Sequence, residues 1–280
     1  TVRTREVGPL AALIAAASLA LAGCTPAPAP PAPAPSTPSP SNSASATPGV
    51  PSTTSGAPAS NTPIAGAPIV VLDPGHNGGN PTHLAAVNRQ VPDGRGGTKP
   101  CNSTGTETNA GYPEHVFTYD VALRTQRALE AAGVRVVLTR TDDTGVGPCV
   151  DVRGTIGQRV GAAAVVSIHA DGAAAGGSGF HVALSSPPLN PVQAGQAHVL
   201  GAALRDALRA GGFHDSTYIG SQGISLRPDL AGLNLAARPT ALVECANMRN
   251  AAEAKVVSSA DGRQRYATAL ANGILAFLHG

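Results

Sequence analysis

Short apolar runs stopped by glycine or proline alternate with longer amphipathic stretches from residue 68 onward. Ile69-Val70-Val71-Leu72 is compact, rich in β-branched residues and halted by Asp73-Pro74-Gly75, which is how a buried strand reads. Proline cannot continue a central strand, and glycine lets the backbone turn. Further runs predict strands over Val134–Thr139, Ala163–Ile168, Phe180–Leu184 and Thr240–Cys245. Between them, Pro113-Glu114 opens a helix whose Val116, Tyr119, Val121, Leu123, Ala128 and Leu129 make an apolar face, with Gly133 ending it. Helices are also expected over Val152–Gly161, Pro191–Ala210 and Ala260–Leu278. Asn250 with Glu253 three residues later predicts a capping box for a short helix. Pro81–Gly111 is rich in Gly and Asn without helical period and reads as an insertion. Strands alternating with helices predict an α/β fold: a single domain over 68–280 with a central, mostly parallel twisted sheet covered by helices on both faces.

The first quarter of the chain follows another pattern. No charged residue lies between Glu6 and Asp73, and 13 of the 25 prolines fall in residues 25–68. Arg3 and Arg5 precede the apolar stretch Leu10–Ala22, which runs into Leu21-Ala22-Gly23-Cys24. Residues 1–23 therefore read as an export signal, too short for a comfortable membrane span. The end of that segment resembles a bacterial lipobox, which implies acylation of Cys24. Residues 24–67, made of Pro, Ala, Ser and Thr with some Gly, bury too little apolar surface to order and read as a tether with polyproline II character. The expected location is the cell envelope, with membrane contact only through a lipid anchor at Cys24.

Export bears on the cysteines, because disulfides persist in oxidising compartments. Cys101 and Cys149 lie in turn-rich loops and are expected to bridge; Cys245, inside an apolar run, is expected to stay a buried free thiol. A net charge of +2, no basic cluster and 3% aromatic residues argue against nucleic acid as a partner. The chain is read as a monomer.

Ligand-type residues fall where an α/β sheet binds ligands, beyond the carboxyl ends of its strands. His76 follows the first strand, His169 the third, and Glu114 starts a helix. Two imidazoles and a carboxylate form a donor set for catalytic zinc that leaves a position open for water. His115 is an alternative to Glu114, since adjacent helix positions point about 100° apart and only one can face the site. Glu244, the ionisable side chain of the run Ala241–Cys245, is a candidate general base; a salt bridge to a neighbouring arginine is its structural alternative. Asp73 reads as a turn former rather than a catalytic group, with a supporting role behind the ligands as its alternative. His83, His181, His198, His214 and His279 read as surface or packed residues.

Four blocks in this order, VLDPGHNGG, PEHVFTYDVALRTQRALEAAGVRVVLTR, VVSIHADG and LVECANMRN, resemble the zinc-dependent N-acetylmuramoyl-L-alanine amidases of the Amidase_3 type over residues 69–280. The resemblance implies one zinc ion on His76, Glu114 and His169, with Glu244 as catalytic glutamate. It implies hydrolysis of the N-acetylmuramic acid to L-alanine amide in peptidoglycan or muropeptides. It also selects Glu114 over His115 and matches Asn250 to the family's asparagine after the catalytic glutamate. Ala246 and Asn247 stand where the family has glycine and an aromatic, and Gln158-Arg159 where it has Ala-Asn. The 81–111 insertion lies outside the core pattern. These departures bear on substrate specificity. Alternatives are a zinc hydrolase acting on another envelope amide, or a non-catalytic wall-binding lipoprotein on the same fold.

Overall fold

The computed structural model describes residues 66–280. The expected export signal, the acylation site at Cys24 and nearly all of the tether lie outside the described residues. β1 (Ile69–Pro74), β4 (Arg135–Leu138), β5 (Ala164–Asp171) and β8 (Thr240–Asn247) form the parallel part of a six-stranded sheet. β6 (His181–Ser185) joins it antiparallel to β8, and β7 (Ile224–Arg227) runs parallel to β6 at the edge, giving the order β4-β1-β5-β8-β6-β7. This is the expected α/β architecture, with β7 an additional strand that its exposed Leu226 and short run conceal in the sequence.

The main core fills one face of the sheet. Helices α2 (Glu114–Ala131), α5 (Gln196–Ala210) and α8 (Ala260–His279) pack there over Val70, Leu72, Val166, Ile168, Ala241 and Val243. The opposite face carries α3 (Val150–Val160), packed over Val71 and Val165 through Ile156 and Val160, and the short α6 (Ala231–Asn234). Successive residues of a strand face opposite sides. One parity of β5 and β8 therefore builds the core while the other faces α3 and α6.

Several boundaries differ from expectation. The buried stripe of α2 is Phe117, Thr118, Val121, Ala122, Thr125 and Leu129, not the face containing Val116, Tyr119 and Leu123. Two threonines hide that stripe from a hydrophobic count; both are satisfied inside, Thr118 Oγ1 donating to Gly75 O at 2.9 Å and Thr125 Oγ1 to Val121 O at 2.9 Å. The expected 191–210 helix breaks at Gly195 into α4 (Pro191–Ala194) and α5. Asn250 caps α7 (Ala251–Ser258) through Ala252 N and Glu253 N. Glu253 does not reach back to complete the capping box: its carboxylate accepts from Gly179 N and Asn247 N, which ties α7 to the end of β8 and to the turn before β6. The insertion is ordered. It contains α1 (Leu84–Val87) and a hairpin of β2 (Gln90–Pro92) and β3 (Thr98–Pro100), and the Cys101–Cys149 disulfide fastens its end to the start of α3. Cys245 is a buried free thiol.

Candidate active site

At the carboxyl end of β1 the chain turns through Gly75 into His76, and both positions are constrained. A Cβ on Gly75 would stand 2.2 Å from the His169 ring, so only glycine lets the imidazole lie there. His76 adopts φ 59°, the left-handed region that costs a non-glycine residue energy. Two buried arginines hold the turn by its carbonyls. Arg153, from α3, donates to Pro74 O at 2.7 Å and His76 O at 3.0 Å; Arg140 donates to Pro74 O at 3.0 Å and Gly75 O at 3.3 Å. Arg153 also pairs with Asp73 at 2.8 Å, and Thr139 and Ser167 donate to the same carboxylate. Burial pushes the Asp73 carboxyl up, but the Arg153 guanidinium and these hydroxyls outweigh it and hold it below the ordinary value. Asp73 is thus a buried anchor rather than a turn former.

Glu114, first residue of α2, reaches both imidazoles. Its Oε2 lies 3.1 Å from His76 Nε2 and its Oε1 3.0 Å from His169 Nδ1. The backbone of Thr106 and Ala170 donates to the same oxygens. Burial opposes ionisation of Glu114, yet the two histidines overcome it and hold the carboxyl well below the usual range. His76 Nδ1 faces Ser103 O at 3.1 Å. A proton on that nitrogen leaves the Nε2 lone pair directed at the cluster, the outer hydrogen bond that metal-ligating histidines use. Among the described residues, His76, Glu114 and His169 form the group whose ligand atoms all lie within 4.8 Å of one another. Two imidazole nitrogens and a carboxylate oxygen converging at this spacing fit the donor set of catalytic zinc. His115 points elsewhere, its Nδ1 pairing with Asp143 Oδ2 at 2.8 Å.

Glu244 is brought to the cluster by strand register. In the β5–β8 ladder it is the partner of His169, so both side chains face the α3 side of the sheet. No salt bridge to Glu244 forms among the described residues, against the structural alternative, and its Oε2 is buried without a partner. Burial first, then the Glu114 and Asp171 carboxylates, push its pKa well above the ordinary value. The cluster and Glu244 line a pocket of ≈ 440 Å³ that continues along the sheet face to Val165 and Leu242, with Leu230–Leu233 and the insertion as walls. Gly105 of the insertion passes over the site with φ 77°, and a Cβ there would stand 2.9 Å from Glu114 Oε2.

Sequence reasoning brought His76, Glu114, His169 and Glu244 to one edge, and the structure places them there. It missed Arg140, Arg153 and Ser103. Buried arginines in loops and helices look like surface charges in a sequence, and a carbonyl that fixes a tautomer leaves no trace there. His83, His198, His214 and His279 are exposed, as expected of surface residues; His181 is fully buried.

A mostly parallel sheet with a two-histidine, one-carboxylate cluster and an unpaired carboxylate beside it at the carboxyl edge defines a class of α/β proteins equipped for hydrolytic chemistry. Comparison with known proteins narrows the class. The family described as N-acetylmuramoyl-L-alanine amidase, Amidase_3, matches residues 70–276, and the chain belongs to that family of bacterial cell-wall amidases. It is 50% identical over 235 residues to the N-acetylmuramoyl-L-alanine amidase Rv3717 of Mycobacterium tuberculosis, covering 84% of this chain and 94% of that protein. The crystal structure of the amidase Ami1 from Mycobacterium smegmatis superposes with a TM-score of 0.74 at 50% identity, over 78% of this chain and 99% of that one. The apo form of Ami1 from Mycobacterium abscessus gives 0.74 at 51% identity, over 77% and 100%.

Proposed function

We propose that this protein hydrolyses the amide between the lactyl group of N-acetylmuramic acid and L-alanine in peptidoglycan, as a zinc enzyme with Glu244 as general base. The observation that carries the reading is the juxtaposition of the His76–Glu114–His169 cluster with Glu244, the register partner of His169, in a pocket of ≈ 440 Å³. A zinc ion held by the three residues would supply Lewis acidity toward the scissile carbonyl and acidify a water molecule. Glu114 contributes the negative charge of the donor set, and Ser103 O keeps the His76 proton on the far nitrogen. Glu244 accepts the proton of the attacking water and returns it to the departing L-alanine amine. Its environment raises proton affinity, which suits a base acting near neutrality. Val165, Leu230 and Leu242 give the pocket an apolar wall beside the site.

The same reading places the working domain in the cell envelope as a monomer, tethered by residues 24–67 to an acylated Cys24. Among the described residues no helix is long and apolar enough to cross a membrane. The test is digestion of purified peptidoglycan and of small muropeptides with mass spectrometry of the products. Cleavage should separate N-acetylmuramic acid from L-alanine. Glu244→Ala should keep zinc and fold while turnover drops roughly 10²–10⁴-fold. A folded, zinc-loaded Glu244→Ala of near-normal activity would end this mechanism.

A further inference from the structure

Behind Glu244, on the side away from the metal cluster, lies a group of polar side chains that the mechanism does not use. In the antiparallel β6–β8 ladder His181 is the direct partner of Glu244, so the two side chains share a face with Cβ atoms about 4.5–5.5 Å apart. His181 is 1% exposed, and neither of its ring nitrogens has a hydrogen-bond partner. Glu244 Oε2, also buried, has none either. Tyr218 packs edge-on against the imidazole, with ring centroids 6.1 Å apart, and its hydroxyl is a fourth buried atom without a partner. Buried polar atoms are nearly always paired. Several unpaired ones on cross-strand neighbours mark a network completed in the working state rather than a packing accident.

The chemistry of the pair is complementary. Burial pushes the His181 imidazole down to about 4, so near neutral pH it is uncharged, with one N–H to donate. A carboxylate that works as a base must accept on both of its oxygens. A general base needs one oxygen directed at the water and the other held, or the carboxylate swings between rotamers. Among the described residues no backbone or side-chain donor holds Glu244. His181 does not line the pocket, so it meets neither substrate nor metal. Leu or Phe would fill its place without burying unpaired nitrogens.

We propose that His181 is a positioning residue for the catalytic base: its ring N–H, presented across the β6–β8 ladder, holds the buried Oε2 of Glu244 and aims the carboxylate into the pocket. The inference rests on the amidase reading above and adds a residue to it. It predicts that removing the donor lowers kcat and leaves KM and zinc content alone, because binding groups are untouched.

The test uses the full chain and a synthetic N-acetylmuramoyl-L-alanyl peptide, with kcat, KM, zinc content and melting temperature measured for each variant. His181→Leu and His181→Phe should reduce kcat roughly ten- to hundredfold, the scale of a lost hydrogen bond to a charged group. His181→Gln, which restores an N–H, should recover most of the loss. In the Glu244→Ala background, His181→Leu should have no further effect, because the group it positions is gone. A purely structural histidine would instead lower stability in both backgrounds without rescue by Gln. Unchanged kcat in His181→Leu, an equal loss in His181→Gln, or failure of both apolar variants to fold overturns the inference. If the wild-type chain leaves the bond intact, the amidase reading falls first; wild-type cleavage with an unaffected His181→Leu removes this inference alone.

Discussion

Replacing Arg153 by methionine should cost this fold a large share of its stability, through a charge left behind rather than volume lost. Arg153 is 4% exposed and donates to Asp73 Oδ1, Pro74 O, His76 O and Pro148 O. Breaking a buried ion pair from one side costs about 3–5 kcal/mol, and each carbonyl left without its donor adds about 1 kcal/mol where water cannot replace it. A loss on the order of 5 kcal/mol follows, against a typical domain total of about 5–15 kcal/mol. Adding Asp73→Asn removes the stranded charge, so the double variant should recover roughly 2–3 kcal/mol over additivity. The pH dependence carries a sign. Asp73 titrates below its ordinary 3.8 in the fold, so its stabilisation is complete above that value and is lost as pH falls through the folded pKa. In Arg153→Met only the Thr139 and Ser167 hydroxyls and the His169 charge remain to oppose burial, so the Asp73 pKa rises relative to wild type and the gap to wild type should narrow in acid. Urea unfolding by circular dichroism, with chelator present to remove metal linkage, measures the cycle. A loss under about 1 kcal/mol, or strict additivity with Asp73→Asn, would refute the reasoning.

Other outcomes are as direct. His76→Ala and His169→Ala should each lose most bound zinc in metal analysis while His115→Ala retains it; full occupancy in the first two would sink the ligand assignment. Serine at Cys101 or Cys149 should lower unfolding stability by about 4 kcal/mol under non-reducing conditions, the chain-entropy estimate for a loop of 48 residues; an unchanged denaturation midpoint would contradict it. Cys24→Ser should move the protein out of the membrane fraction or block its maturation, and unchanged fractionation would argue for a plain export signal.

The parts of this fold that declare themselves in the sequence are those that repeat a simple rule. β1, β4, β5 and β8 are short apolar runs closed by turn formers, and their alternation with helices implies a parallel sheet. The ligand residues sit at strand ends or a helix start, where such sheets bind. What stayed hidden depends on partners far along the chain. The buried stripe of α2 contains Thr118 and Thr125, which count as polar until their acceptors are known. Asp73 looks like a turn residue because Arg153, 80 positions away, is invisible to local pattern. His181 looked like one more packed histidine because its importance lies in antiparallel pairing with Glu244, and periodicity cannot announce a reversal of strand direction. Glu253 obeys the spacing of a capping box and spends its carboxylate on other backbone groups.

The alternation within β5 and β8 separates two kinds of change. Val165, Ser167, His169, Thr240, Leu242 and Glu244 look into the pocket, while Val166, Ile168, Ala241 and Val243 look into the main core. Adjacent letters of the same strand therefore answer to different demands: one set to what the enzyme admits, the other to whether it exists as a folded object. Of the pocket-facing set, Leu242 is the half-buried apolar position outside both core clusters, so a library there can vary the pocket wall with modest thermal loss. The same diversity shifted by one residue would return mostly unfolded chains. For anyone reshaping the pocket, the alternation marks which letters of β5 and β8 touch it, and the site residues among them, His169, Glu244 and Ser167, mark where trial must stop.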